Sequence, residues 1–221
     1  MRRSHVIVPM FALLTALAGC AADNASVYIE GNIVPEKQDL GCTVSPDGAQ
    51  LTAGYYNVDV EWPYVIHPLY NNQLLSRASD VRADPNGVLI MGAEIELQDI
   101  AGAPLALDAS LPNPFTIPAS TFIHSGDVGQ PGQNVGEIQA IPEPYRAWLS
   151  ANTQRGTIII SVKVFGRTNG DIDILSGAWV WPVVLCGGEC LYQCLGPDDT
   201  TEVRSCNPGQ DFTSLVTCAA P

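Results

Sequence analysis

The chain has 221 residues, with 23 acidic against 10 basic side chains and a formal charge of −13 at pH 7. So acidic a surface repels phosphate backbones and anionic headgroups, which excludes nucleic-acid binding and a basic membrane-binding patch. Hydrophobic residues make up 46%, an ordinary globular content that excludes wholesale disorder.

Arg2 and Arg3 precede an apolar run from Val6 to Leu17. That run is far shorter than the ~20 residues a membrane-spanning helix needs. A charged start, a short apolar stretch and then small residues read as an export signal. The run ends Leu17-Ala18-Gly19-Cys20, which resembles the bacterial lipobox of a leucine, two small residues and a cysteine. The resemblance to bacterial lipoproteins implies cleavage before Cys20, lipidation of Cys20 on sulfur and amine, and anchoring to the membrane. Ala21 stands where proteobacterial sorting rules place Asp for inner-membrane retention, so the same resemblance implies the outer membrane. Two alternatives remain open. Ala16-Leu17-Ala18 also fits an ordinary signal cleavage, which gives a freely secreted protein, and an uncleaved anchor lacks any following stop-transfer pattern. Residues 20–26 read as a short tether. Removing residues 1–19 leaves 202 residues and takes away two basic side chains and no acidic ones, so the formal charge falls to −15.

The mature chain is punctuated by Gly and Pro, with short Val-, Ile- and Tyr-rich runs between, the pattern of an all-β sandwich or barrel. Ser26 to Glu30 is the first expected strand. Tyr55 to Trp62 alternates, with Val58, Val60 and Trp62 on one face and Asn57, Asp59 and Glu61 on the other, so it is expected to be half-buried. Tyr64 to Tyr70 follows, broken by Pro68. Asp84-Pro85-Asn86-Gly87 is a turn leading into a strand over Val88 to Leu97. Short strands are expected around Pro104–Leu107, Phe115–Ile117 and Phe122–His124, then a long loop over Ser125–Gly136. Pro144 to Ala151 is expected as the one helix, docking through Tyr145, Trp148 and Leu149. Thr157 to Phe165 and Ile172 to Leu185 make a hairpin, with Asn169-Gly170 expected at positive φ in the turn and Gly177 at a bulge. The expected architecture is an antiparallel β-sandwich, immunoglobulin-like or related, over residues 27–185, with a cysteine-rich tail at 186–221.

Setting Cys20 aside leaves Cys42, Cys186, Cys190, Cys194, Cys206 and Cys218. An even count in an exported chain implies a disulfide framework, in which six cysteines allow about 15 pairings. Five of the six lie in the last 36 residues, so full pairing requires Cys42 to staple that tail to the start of the domain. The run Cys186-x3-Cys190-x3-Cys194 also admits a metal by spacing, but an oxidising compartment disfavours it. No C-x-x-C pair supports redox chemistry.

Val164-Phe165-Gly166-Arg167-Thr168, the strand through Ser176 and Pro182 into Cys186, and Cys206-Asn207-Pro208-Gly209-Gln210-Asp211 resemble a group of predicted outer-membrane lipoproteins of myxobacteria and their relatives. The resemblance spans most of the mature chain and implies the lipoprotein reading but no activity.

Chemistry-bearing residues are few. His67 and His124 are read as structural, and His124, Ser125 and Asp127 cannot act as a triad, since adjacent strand residues point opposite ways. There is neither a G-x-S-x-G elbow nor an S-x-x-K motif. Glu94 and Glu96 share a strand face and read as solvated rather than as glycosidase carboxylates. Asp198-Asp199 and Asn169–Asp173 lack calcium-loop spacing. Tyr55, Tyr56, Tyr64 and Tyr70 form either core or a sugar-binding platform. The expectation is a lipid-anchored, non-enzymatic binding or structural domain without a cofactor, its partner a protein or glycan of the envelope. A surface carbohydrate-binding module and an envelope hydrolase are the alternatives.

Overall fold

The computed structural model describes residues 26–39, 41–76, 84–152, 155–194 and 206–216, with side chains throughout except at 193, 194 and 214–216. Residues 1–19, Cys20, Asp198-Asp199, Cys218 and the side chain of Cys194 lie outside the described residues.

The elements in chain order are β1 (Val27–Ile33), β2 (Glu36–Gln38), β3 (Gly41–Thr43), β4 (Gln50–Leu51), β5 (Gly54–Asn57), β6 (Tyr64–Ile66) and β7 (Pro68–Asn72). Then come β8 (Val88–Gln98), β9 (Phe115–Ile123), β10 (Gly132–Val135), β11 (Ile138–Ile141) and α1 (Glu143–Ala151). The chain continues through β12 (Gly156–Thr168), β13 (Asp173–Leu175), β14 (Trp179–Cys186), β15 (Tyr192–Cys194) and β16 (Ser214–Val216). The fold is all-β and sandwich-like. One main sheet runs β5-β14-β12-β8-β9, with β13 also on β12, and a second runs β10-β7-β1-β4. The inward side chains of both sheets, Ile29 and Tyr70 with Ile95 and Val162 among them, form one hydrophobic core.

The central strands follow from side-chain alternation. Ile158, Ile160, Val162 and Val164 of β12 are buried, while Ile159, Lys163 and Phe165 between them are half-buried. β14 buries Trp181, Val183 and Leu185 and turns Val180 outward. Lys163 and Val164 face three residues, 176–178, between the two registers of β12, so the expected bulge lies at Gly177. α1 buries Tyr145 and Leu149, and the Tyr145 ring stacks on Phe115 at 4.1 Å.

Several expectations are corrected. The strand expected to Trp62 ends at Asn57, because the Asn57 side chain accepts from the Asp59 amide at 3.0 Å and turns the chain. Asn57 is fully buried rather than on a wet face, and Trp62 is 62% exposed. The short strands at 115–117 and 122–124 are one nine-residue strand, β9, which tolerates Pro118 because it lies at the sheet edge. Pro104 makes only an isolated bridge to Gln98. The segment 125–136 contains β10, paired with β7, and Gly132 is required there because a β-carbon would collide with the His124 carbonyl. In the hairpin turn the positive φ falls on Asp171 (66°), not on Asn169-Gly170. β5 joins β14 in parallel, so the main sheet is not wholly antiparallel.

Candidate functional site: a C-terminal clasp between two clefts

Residues 206–212 return from the tail and lie across β5 and β6. The Asn57 main-chain N–H donates to the Gly209 carbonyl at 2.8 Å, and the Asp211 main-chain N–H to the Tyr55 carbonyl at 2.8 Å. On the other side the clasp uses a side chain as if it were a strand. The buried Gln210 amide donates to the Val65 carbonyl at 2.6 Å and accepts from the Val65 N–H at 3.0 Å. The clasp therefore joins the edge of the main sheet to the β11-β6 pair. Its start is fixed by the Cys42–Cys206 disulfide, with a Cα–Cα distance of 5.8 Å, which also pins the exposed β2–β3 hairpin.

Asp211 anchors the other end in a left-handed conformation (φ 61°). Its Oδ1 accepts from the Tyr55 N–H and the Tyr64 hydroxyl, both at 3.0 Å, and the Trp181 indole donates to the Tyr64 oxygen at 3.0 Å. Gly54 makes room for that chain, since a β-carbon there would collide with the Tyr64 hydroxyl. Burial pushes the Asp211 carboxyl up to about 6, against the stabilising donors Tyr55, Tyr64 and Gln210. Burial and the facing Asp211 carboxylate raise the Tyr64 hydroxyl well above its ordinary value.

One cleft, of about 360 Å³, lies between the pinned hairpin, β9, the residues after β10 and the clasp. Its polar wall is His67, Ser120, Thr121, Glu137 and Asn207. The Asn207 amide lies 3.2 Å from His67 Nε2, and the buried Nδ1 has no hydrogen-bond partner among the described residues. An orphaned buried nitrogen of this kind costs roughly 1–3 kcal/mol. Burial lowers the His67 pKa and so favours the neutral ring, opposed by the Glu137 carboxylate and the Gly136 carbonyl. The second cleft, of about 350 Å³, lies across the clasp and is walled by Trp62, Pro63, Val65, Pro208 and Gln210. Asn207 and Cys206 line it too, so Asn207 forms a wall of both clefts. The Tyr56 hydroxyl donates to the Trp62 carbonyl at 2.5 Å, which fixes the backbone that carries the exposed indole.

The other sequence-selected residues are scattered. Cys186 pairs with Cys190, closing a loop whose Gly188 and Cys190 carbonyls accept from the Asn57 amide at 2.8 and 2.9 Å. Glu94 pairs with Lys163 at 3.7 Å and Glu96 accepts from Gln98, so both sit on the outward face of β8. His124 is exposed and meets the edge of Phe122 at 5.0 Å. Asp171 and Asp173 both pair with Arg167. Tyr56, Tyr64 and Tyr70 are buried, leaving Tyr55 the one exposed member of that set. Among the described residues no group of three or more His, Cys, Asp or Glu side chains is placed to hold a metal ion. None of the described helices is long and apolar enough to cross a membrane.

Sequence reasoning passed over Trp62, Glu137, Asn207, Gln210 and Asp211 as site residues. The usable signal was the polar Asn-Pro-Gly-Gln-Asp run directly after a cysteine that parity makes a partner for Cys42. No family model matches this chain, and no curated protein or solved structure matches it.

Proposed function

We propose that this protein is an exported, lipid-anchored binding domain of the bacterial cell envelope, held at the outer membrane through Cys20. The observation that carries the reading is Leu17-Ala18-Gly19-Cys20, set directly before a disulfide-stapled domain. Disulfides persist in exported proteins and are rare in the reducing cytosol. A binding rather than a catalytic role is supported by how the reactive side chains are used. Glu94 is held by Lys163, His124 lies against Phe122, and the Asp171 and Asp173 carboxylates are taken by Arg167. The clasp adds a built surface, two clefts on either side of a covalently fixed segment, and concave sites of this size suit small ligands.

The test is intact mass of the protein extracted from its native membrane, alkylated without reduction. The expected species is residues 20–221 with a diacylglyceryl group on the Cys20 sulfur, an acyl chain on its amine and no alkylated thiol. Cys194 and Cys218, which the two observed pairs leave over, then form the third disulfide. Cys20→Ser is expected to move the protein out of the membrane fraction. An unlipidated mature mass defeats the anchor, and two alkylated thiols defeat the third pair.

A further inference from the structure

We propose that the two clefts flanking the clasp form one site for a neutral glycan, with a sugar face on Trp62 and hydroxyls bound across Asn207 by Thr121 and Ser120. The inference rests on the binding-domain reading above and names its ligand class.

Three observations lead to it. First, among the described residues no lysine or arginine lines either cleft, and the chain as a whole is strongly acidic. An anionic ligand would lose its hydration with no cation to replace it. A cationic ligand would find only Glu137, on an exposed rim where water and salt screen it. A neutral polar ligand is what remains. Second, the polar wall offers groups that both give and accept hydrogen bonds. The Thr121 and Ser120 hydroxyls and the Asn207 amide all do so, which is what a ring of sugar hydroxyls requires. Third, Trp62 is 62% exposed on a backbone held by Tyr56, next to Pro63 and Pro208. A fixed, outward indole supplies a flat apolar surface at little entropic cost, and the C–H face of a pyranose packs on such a ring. The Cys42–Cys206 bond holds both walls in place, since one end lies in each of the segments that frame the clefts.

The experiment is calorimetric titration of the lipidated protein in a zwitterionic detergent. The probes are the β-1,4-linked tetrasaccharides of glucose, N-acetylglucosamine, mannose and xylose, with an anionic oligogalacturonate and a proline-rich decapeptide as controls. At least one neutral tetrasaccharide is expected to bind, and the oligogalacturonate is not. Trp62→Ala is expected to weaken binding by about tenfold or more, the effect of losing a central aromatic contact. Thr121→Val is expected to weaken it by roughly threefold to tenfold with the circular dichroism spectrum unchanged, as loss of a single hydrogen bond does. The site is overturned by no heat from any neutral sugar up to about 10 mM, a ligand too weak to be specific. It is equally overturned by sugar binding that survives both Trp62→Ala and Thr121→Val, or by uptake of the peptide in place of every sugar. The outcomes separate from the anchor reading: sugar binding without lipid on Cys20 removes the anchor alone, and lipid without sugar binding removes the glycan site alone.

Discussion

The centre of the main sheet is buried and the C-terminal clasp buries only Gly209 and Gln210, and the two are held by different physics. β12 lies between β8 and β14 and is fixed by ladder hydrogen bonds and alternating apolar side chains, each with many equivalent neighbours. The clasp is fixed by a disulfide, two main-chain hydrogen bonds to β5 and a few side-chain hydrogen bonds, each of them singular. A sheet centre fails by degrees as contacts are trimmed. A clasp fails at a named atom, and its failure depends on redox state and pH.

The largest effect is expected from removing the staple. Cys42→Ala with Cys206→Ala opens a loop of 164 residues, worth about 5 kcal/mol in the chain-entropy model. Denaturant unfolding measures it, and a loss below 1 kcal/mol would mean that the clasp stays docked without its covalent tie. Ile160→Ala, at the fully buried middle of β12, is expected to cost roughly 2–5 kcal/mol at every pH from the lost apolar contacts and the cavity left.

Asp211 separates the two regions most sharply. Its folded pKa of about 6 lies above the ordinary 3.8, so the folded state holds the proton more tightly than the unfolded chain does. That contribution to stability is fully present below about pH 4 and is lost as pH rises through about 6. Asp211→Asn keeps an Oδ1 acceptor for Tyr55 and Tyr64 and cannot ionise. It is expected to add up to about 3 kcal/mol at pH 8 and under about 1 kcal/mol at pH 4, read from chemical denaturation at the two pH values. Equal effects at both would show that the buried charge is not what sets the clasp's stability. His67 acts in the opposite sense. Its folded pKa is lowered, so its contribution is present above the unfolded value and lost as pH falls below it.

Gln210→Ala removes both bonds to Val65 and leaves a strand N–H and C=O without their partner, at an expected cost of about 2 kcal/mol. A Gln210→Glu variant, which still accepts but no longer donates, is expected to recover only part of that loss. Lys163→Gln on the outward face of the central sheet is expected to change stability by less than about 0.5 kcal/mol, since its pair with Glu94 is solvent-exposed. A loss above 1 kcal/mol there would blur the contrast between the two regions.

The same contrast explains what was legible. The alternation in Thr157–Phe165 and Trp179–Leu185 located β12 and β14 with the correct faces, because burial in a sheet repeats every second residue. The alternation in Tyr55–Trp62 misled, because a single side-chain bond from Asn57 ended the strand early and turned Trp62 to solvent. The tyrosines Tyr56, Tyr64 and Tyr70 could be read as core or as platform, and only the packing of the second sheet decided for core.

The sequence by itself determined that the chain is all-β, that Leu17-Ala18-Gly19-Cys20 resembles a lipobox, and that Cys42 pairs with the tail if every cysteine of the domain pairs. These rest on local composition, period and parity, which need no knowledge of distant contacts. Tertiary structure alone decided that Cys206 is the partner of Cys42, that β5 runs parallel to β14, and that Asn207, Gln210 and Asp211 lie against β5 and β6. Those facts depend on pairs up to 164 residues apart, and no local pattern distinguishes one such pairing from another.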